Sequence, residues 1–374
     1  MSTLKITQVT TIPVEIPINA QRAIRSGRGS HTTSPFLIVQ VYTDEGVVGL
    51  GEVSCTAAWS GEDHFTAARM IDTYLAPQLL GQDPTEIERL TQRMARVIAH
   101  NPFTKSAIEM ALWDILGKVA NLPVYRLLGG AVRDFVTTKF SVSGLEAPRA
   151  AEIAAWAVEQ GFRTMKVKVG IQPDEDVDRV YAVRAAVGPD IRLGIDANGG
   201  WSPRVAIQTI PRLYDANIYF AEQPVADLDV AWLADVRRNV RVPIMADESV
   251  FNLQDAMAVV RAGAADILSV YVGKGGGIGP ARKMVAVAEA AGLVCTIGSN
   301  LELGVASAAM IHLGMATPTI AAEEFPCDIL TPFFYEDDIL LDPLPIEGGK
   351  ARPHNKPGLG VELDPHKIAK YRVQ

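Results

Sequence analysis

The chain has 374 residues, 48% of them hydrophobic and 21% charged, with a formal net charge of −8. That length suits one large α/β domain with an accessory domain. The acidic balance argues against nucleic acid or an anionic membrane as a partner, because both need a basic face. A small anionic substrate stays open, since one buried cation outweighs the overall charge. Cys55, Cys295 and Cys327 are an odd number without metal-ligand spacing, which fits reduced thiols and a cytoplasmic location. The opening "MSTLKITQVTTIPVEIP" alternates like a strand and lacks the apolar core of a signal peptide. No apolar run of about 18 residues suggests a membrane span.

Residues 4–17 and 36–53 read as strands, the second broken by the hairpin turn "TDEG" at 43–46. Polar loops follow each strand, at 19–34 and 54–64. Residues 63–79, 84–99 and 105–120 carry apolar side chains at helical spacing, so residues 1–125 form an α+β unit. From about residue 126 the pattern changes. Apolar runs at 134–143, 162–169, 191–196, 217–222, 242–247, 266–272, 293–298 and 319–323 alternate with amphipathic stretches. The period of roughly 25 residues is that of a βα unit, and eight such strands suggest a (β/α)8 TIM barrel over 126–345. Residues 346–374 have strand and turn character and are expected to return to the first unit.

Functional side chains of such a barrel stand at the C-terminal ends of its strands. Those ends supply Lys166 and Lys168, Asp196 and Asn198, Glu222, Asp247 and Glu248, Tyr271, Ser299 and Asn300, and Glu323. Asp196, Glu222 and Asp247 recur with the βα period, so they should stand side by side. Three clustered carboxylates repel unless a cation neutralises them, and a hard ion such as Mg²⁺ (Mn²⁺ as the alternative) suits oxygen ligands. The plainer alternative is that each acid caps the helix after it. Lys166 and Lys168 are two apart and share the interior face. Two neighbouring ammonium groups should depress each other's pKa, which would make one a base; otherwise they are salt-bridge partners for the acids.

The set K-x-K at 166–168, D-x-N at 196–198, "EQP" at 222–224, "DES" at 247–249 and "PGLGVELD" near the end resembles the enolase superfamily, within it the muconate-lactonizing group. The resemblance implies an N-terminal capping domain completed by the C-terminal tail, with loops 19–34 and 54–64 closing over a small carboxylate substrate. It also implies Mg²⁺ on Asp196, Glu222 and Asp247, Lys168 as general acid/base, Lys166 on the substrate carboxylate, and abstraction of a proton α to that carboxylate. A homo-oligomer is expected. Glu248 is expected to orient a neighbour or Lys274, and Glu302 to contact substrate or its surroundings. Mandelate racemases resemble the chain too, but the seventh strand ends in "IGSN", without their histidine.

One position departs from the group. Aligning "LSVYVGKGGG" on its last two glycines puts Tyr271 where most relatives carry a second lysine. The odd offset of Lys274 from Tyr271 turns it to the other face of a strand. A phenol near pKa 10 suits hydrogen-bond donation better than proton abstraction. One-base chemistry, as in a cycloisomerase or a syn-dehydratase, therefore fits better than two-base epimerisation, although packing alone could also account for Tyr271. The same stretch does not match G-x-G-x-x-G in any register, so its glycines read as a turn. An epimerase using Tyr271 or a water, and a lapsed enzyme kept as a binding protein, are the competing readings. In the loops, Arg22, Arg25, Arg28, His31 and Trp59 are candidate substrate contacts, the cationic ones for a second anionic group.

Overall fold

The computed structural model describes residues 4–26, 29–30, 33–54 and 56–373. Ile6–Pro17, Thr33–Thr43 and Val48–Val53 form a three-stranded antiparallel sheet, with the hairpin turn where "TDEG" places it. The middle strand is apolar almost throughout because both its faces are covered. Phe36 and Ile38 enter one hydrophobic cluster, while Leu37, Val39 and Val41 enter another with the helix Pro102–Ala120. That helix lies close against the sheet. A Cβ on Gly51 would come within 1.7 Å of the Ala107 carbonyl oxygen, so only glycine fits there.

The second unit is a curled parallel sheet of seven strands: Phe140–Val142, Thr164–Lys168, Arg192–Asp196, Ile218–Glu222, Ile244–Ala246, Ile267–Val270 and Val294–Ile297. Helices between them pack outside, as in Pro173–Val187 and Ile278–Ala290. Within the ring, Phe220, Met245, Ile267 and Phe325 form a small cluster of their own.

The eighth strand expected at 319–323 does not form. An irregular segment closes the ring instead: Ile320 bridges Cys295 on one edge, and Cys327 bridges Thr138 on the other. The Asp328 amide then donates to the Ile297 carbonyl. The closing segment therefore ends at Asp328, and Glu323 lies before its end. The first barrel strand is also interrupted, because Val136–Thr137 pairs with Lys350–Ala351 rather than with a barrel neighbour.

The rest of the tail reaches the N-terminal unit. The Leu359 amide donates to Asp114 on the helix Pro102–Ala120 at 2.8 Å, and Arg372 bridges Val14. Among the described residues, no helix is long and apolar enough to cross a membrane.

Candidate active site

Parallel register sets the acids side by side. Lys168 pairs with Asp196, and Asp196 with Glu222, across adjacent strands. Asp247 follows the next strand, Ile244–Ala246. Lys166, Lys168, Asp196, Asn198, Asp247 and Tyr271 line a cavity of ≈ 240 Å³ at the C-terminal mouth of the barrel. Its other walls come from Ile24, Ser26, Thr56 and Trp59 of the N-terminal loops and from Ser299, Asn300, Leu301 and Leu330 of the last barrel loops.

Both lysines are ion-paired. Lys168 Nζ donates to Asp196 Oδ2 at 2.6 Å and to Asn198 Oδ1 at 2.8 Å. Lys166 Nζ donates to Glu222 Oε1 at 3.1 Å and Asp328 Oδ2 at 2.9 Å, and lies 3.4 Å from Asp196. Burial alone would lower the Lys166 pKa, but Asp328, Glu222 and Asp196 outweigh it and raise it well above the usual lysine value. Mutual depression of the two ammonium groups, expected from their spacing, is therefore not what governs Lys166. The carboxylates around it win.

Asp328 is a site residue that the sequence reading missed. It is buried, pairs with Lys139 at 3.0 Å as well as Lys166, and accepts from Ser141 Oγ. Ending the expected eighth strand at 323 hid it, because the closing segment runs on to Asp328. The charged Lys139 directly before the strand "FSV" was the available signal.

At the next strand ends, Asp247 receives two donors. Tyr271 Oη donates to Oδ2 at 2.7 Å and Lys274 Nζ to Oδ1 at 2.5 Å. Lys274 was expected to face away from Tyr271. It does not, because the strand stops at Val270 and Val272–Gly275 coils into a helical turn, which removes the strand alternation. The Lys274 ammonium lies 4.2 Å from the centre of the Tyr271 ring, whose other partner is Trp59, stacked at 5.7 Å. Burial, reinforced by Asp247, pushes the phenol well above pH 10. Gly298 makes room for the ring. A Cβ there would come within 2.1 Å of Tyr271 Cε1, which explains the small residue in "IGSN".

Other expected contacts fall at different distances from the cavity. Glu248 Oε1 accepts from Asn198 Nδ2 at 3.0 Å and from Trp59 Nε1 at 3.2 Å. Asn300 lines the cavity and donates to the Ser54 carbonyl at 2.9 Å. Glu302 is buried and receives Ser299 Oγ at 2.5 Å and the Asn300 amide at 3.1 Å, so it shapes the loop beneath the cavity. Burial pushes its carboxyl up to about 7. Glu52, which the sequence reading did not single out, accepts from Ser54 Oγ, the Leu303 amide and the Ala306 amide, tying the capping sheet to the start of helix Gly304–Ala316.

Glu323, Arg25 and Arg22 do not line the cavity. Glu323 is exposed and pairs with Arg133 at 3.0 Å, since it precedes the turn that brings Asp328 inward. Arg25 engages through its backbone, its amide donating to Ser143 Oγ at 2.8 Å, while its side chain is exposed. Arg22 lies 4.7 Å over the Trp156 ring. Arg28 and His31 lie outside the described residues.

The donor set fits a hard cation, with one qualification of geometry. Glu222 Oε2 is buried without a hydrogen-bond partner. Burial pushes that carboxyl up to about 8, against Lys166 and with help from Asp196 and Asp247. An orphaned oxygen beside two further carboxylates is what an oxygen-liganded ion would satisfy. Yet no three His, Cys, Asp or Glu side chains among the described residues already stand around one point suited to a metal. Ammonium groups stand among the acids instead. Asp196, held down to about 2 because Lys168 and Lys166 outweigh its burial, is the clearest case. The expected ligand triad is thus present as a row of strand ends and not as a formed ligand triangle.

Comparison with known proteins agrees with this architecture. The family model described as "Mandelate racemase / muconate lactonizing enzyme, N-terminal domain" matches residues 7–129, and "Enolase C-terminal domain-like" matches 149–367. The chain belongs to this enolase-superfamily family of enzymes. It is 34% identical over 368 residues to muconate cycloisomerase 1 of Rhodococcus opacus, covering 97% of each chain. It is also 34% identical to the N-succinyl-L-Arg/Lys racemase of Bacillus cereus, covering 96% of each. A dipeptide epimerase from Enterococcus faecalis, solved with Mg and the dipeptide L-Leu-L-Tyr, superposes with a TM-score of 0.91 at 33% identity, covering 96% of this chain and 99% of that one.

Proposed function

We propose that the protein is a Mg²⁺-dependent enzyme that moves a proton α to the carboxylate of a small substrate by one-base chemistry, as a cycloisomerase or syn-dehydratase. The observation that supports the single-base reading is that the sixth strand ends in a phenol, Tyr271, buried and donating to Asp247, where an amine would serve a second base. The Tyr271 hydroxyl and the Lys274 ammonium, the candidates for a second proton-transfer group on the sixth strand, are both turned onto Asp247. Lys168, on the other side of the cavity mouth, takes up and returns the proton.

Asp196, Glu222 and Asp247 would hold the metal ion. When bound, it supplies positive charge against the substrate carboxylate, whose negative charge grows as the α-proton leaves. Lys166, kept charged by its three carboxylates, donates to that same developing charge. Asn198 Oδ1 fixes Lys168 Nζ, and the Tyr271 hydroxyl holds Asp247 in place. Trp59, Leu301, Leu330 and Ile24 wall the cavity with apolar surface that excludes water. These side chains, with Ser299 and Asn300, favour an uncharged remainder of the substrate over a second carboxylate.

An epimerase reading draws support from the racemase and epimerase relatives. It requires Tyr271 to leave Asp247, or a water to act opposite Lys168.

The test is α-proton exchange in D₂O across a panel of hydroxy acids, N-acyl amino acids, proline-like acids and dicarboxylates. Lys168→Ala should abolish exchange while calorimetric Mg²⁺ binding persists. Full exchange in that variant removes Lys168 from its role.

A further inference from the structure

Within "EQP" at 222–224, Gln223 has no part in the proposed proton transfer, yet its environment is unusual. It follows the strand Ile218–Glu222, is fully buried, and has φ of 34°. A left-handed backbone is uncommon for a residue with a long side chain, and more so before proline, where extended conformations are favoured. Such strain persists only where the surroundings over-determine it.

Gln223 bonds to all three strand ends that carry the expected metal ligands. Its amide continues the parallel ladder by donating to the Met245 carbonyl at 2.9 Å. Its carbonyl serves the neighbour on the other side and accepts the Gly199 amide, beyond Asp196, at 2.8 Å. The paired register with the fifth strand ends at Glu222 and Met245. Past that point the Gln223 side chain takes over from the ladder. Its Oε1 accepts the Asp247 amide at 3.0 Å and the Ser249 amide at 3.3 Å. Its Nε2 donates to the Val225 carbonyl and to Ser249 Oγ, both at 2.8 Å. Two backbone donors need an oxygen and a carbonyl needs a donor, so the carboxamide has one orientation.

We propose that Gln223 is a positioning residue that sets the backbone of Asp247 against Glu222 and Asp196, and with it the spacing of the three carboxylates. Tyr271 and Lys274 also hold the Asp247 carboxylate, but they belong to the sixth-strand end and fix it on that side. Gln223 supplies the tie on the opposite side, toward the fourth strand. This inference rests on the reading of Asp196, Glu222 and Asp247 as metal ligands.

Two variants separate the side chain from the backbone. Gln223→Asn relieves the strain, because asparagine accepts a left-handed backbone more readily. It is one methylene shorter, however, and leaves the Asp247 and Ser249 amides without this acceptor. Gln223→Glu keeps both the reach and the accepting oxygen. Residue-resolved hydrogen–deuterium exchange on the whole, metal-free protein reads the tie itself. A hydrogen bond of about 1 kcal/mol corresponds to about a fivefold change. Both amides should therefore exchange about fivefold faster in Gln223→Asn, and at the unaltered rate in Gln223→Glu.

Titration calorimetry with MgCl₂ reads the consequence. Gln223→Asn should bind Mg²⁺ about tenfold more weakly. Phe162→Leu alters a buried ring just before the strand Thr164–Lys168, at the opposite end of the barrel, and should lower stability in urea while leaving Mg²⁺ affinity unchanged. Unchanged exchange at Asp247 and Ser249 in Gln223→Asn overturns the positioning role. So does an affinity that stays constant there, or one that falls equally in Phe162→Leu. Failure of the metal reading is a different result. The unaltered protein then binds no Mg²⁺, while the exchange rates still decide whether Gln223 holds Asp247.

Discussion

His312 makes acid sensitivity a measurable property of the junction between the barrel and the N-terminal unit. It lies fully buried on helix Gly304–Ala316. Its Nδ1 accepts the Tyr125 amide at 3.3 Å, and its Nε2 lies 3.1 Å from the Leu359 carbonyl oxygen, to which it donates as the neutral Nε2–H tautomer. A proton added to Nδ1 would face another N–H. Burial accordingly lowers the His312 pKa from 6.5 to about 4. The unfolded chain binds this proton first, so His312 contributes stability that is complete above about pH 6.5 and is lost as pH falls toward 4. At about 1.4 kcal/mol per tenfold, the full contribution is about 3 kcal/mol, of which about 2 kcal/mol disappears between pH 7 and 4.5.

Urea unfolding at half-unit steps of pH measures this, with His312→Gln as the reference. Glutamine can present an acceptor to Tyr125 and a donor to Leu359 but has no proton to gain. Carboxylates that titrate in the same window affect both proteins, so the difference isolates the histidine. The stability advantage of the native protein over the variant should shrink by about 2 kcal/mol from pH 7 to 4.5. A difference independent of pH refutes the neutral, doubly hydrogen-bonded histidine.

Three further outcomes follow from the site. Gly298→Ala places a Cβ 2.1 Å from Tyr271 Cε1 and should destabilise the protein by about 1–3 kcal/mol in urea unfolding, with a smaller loss when Tyr271→Ala is added. Asp328→Asn leaves the buried Lys139 and Lys166 short of a counter-charge and should cost about 3–5 kcal/mol by the same measurement. Tyr271→Phe keeps the ring on Trp59 and removes one donor to Asp247, so α-proton exchange should fall by about tenfold. A loss in the range of about 10²–10⁴-fold, typical of removing an acid or base, would instead make Tyr271 a proton-transfer group.

Much of this architecture was legible because periodicity repeats a signal that no single residue carries. The spacing of Asp196, Glu222 and Asp247 matched the βα unit, and strand register then aligned them with Lys168. Legibility failed where regular structure stops. The closing segment makes isolated bridges through Ile320 and Cys327 instead of a strand, so an apolar run at 319–323 pointed to Glu323 and missed Asp328. Lys274 was misoriented for the same reason, because strand alternation says nothing once the chain coils at Val272. Long-range capping was also invisible. Glu52 meets Leu303 and Ala306 across some 250 residues, and its only local sign is an acid within an apolar strand. The identity of Trp59 as a contact was readable as an aromatic in a loop, but its bond to Glu248 was not.

The central claim is that one group, Lys168, works on one face of the substrate. The most direct measurement follows the configuration at the α-carbon during exchange in D₂O. With a single enantiomer of a substrate found in the carboxylate panel, deuterium should enter the α position with retention, and the recovered substrate should stay enantiomerically pure while exchange proceeds. Deuterium appearing together with the opposite enantiomer would contradict the account and assign a second proton-transfer group opposite Lys168.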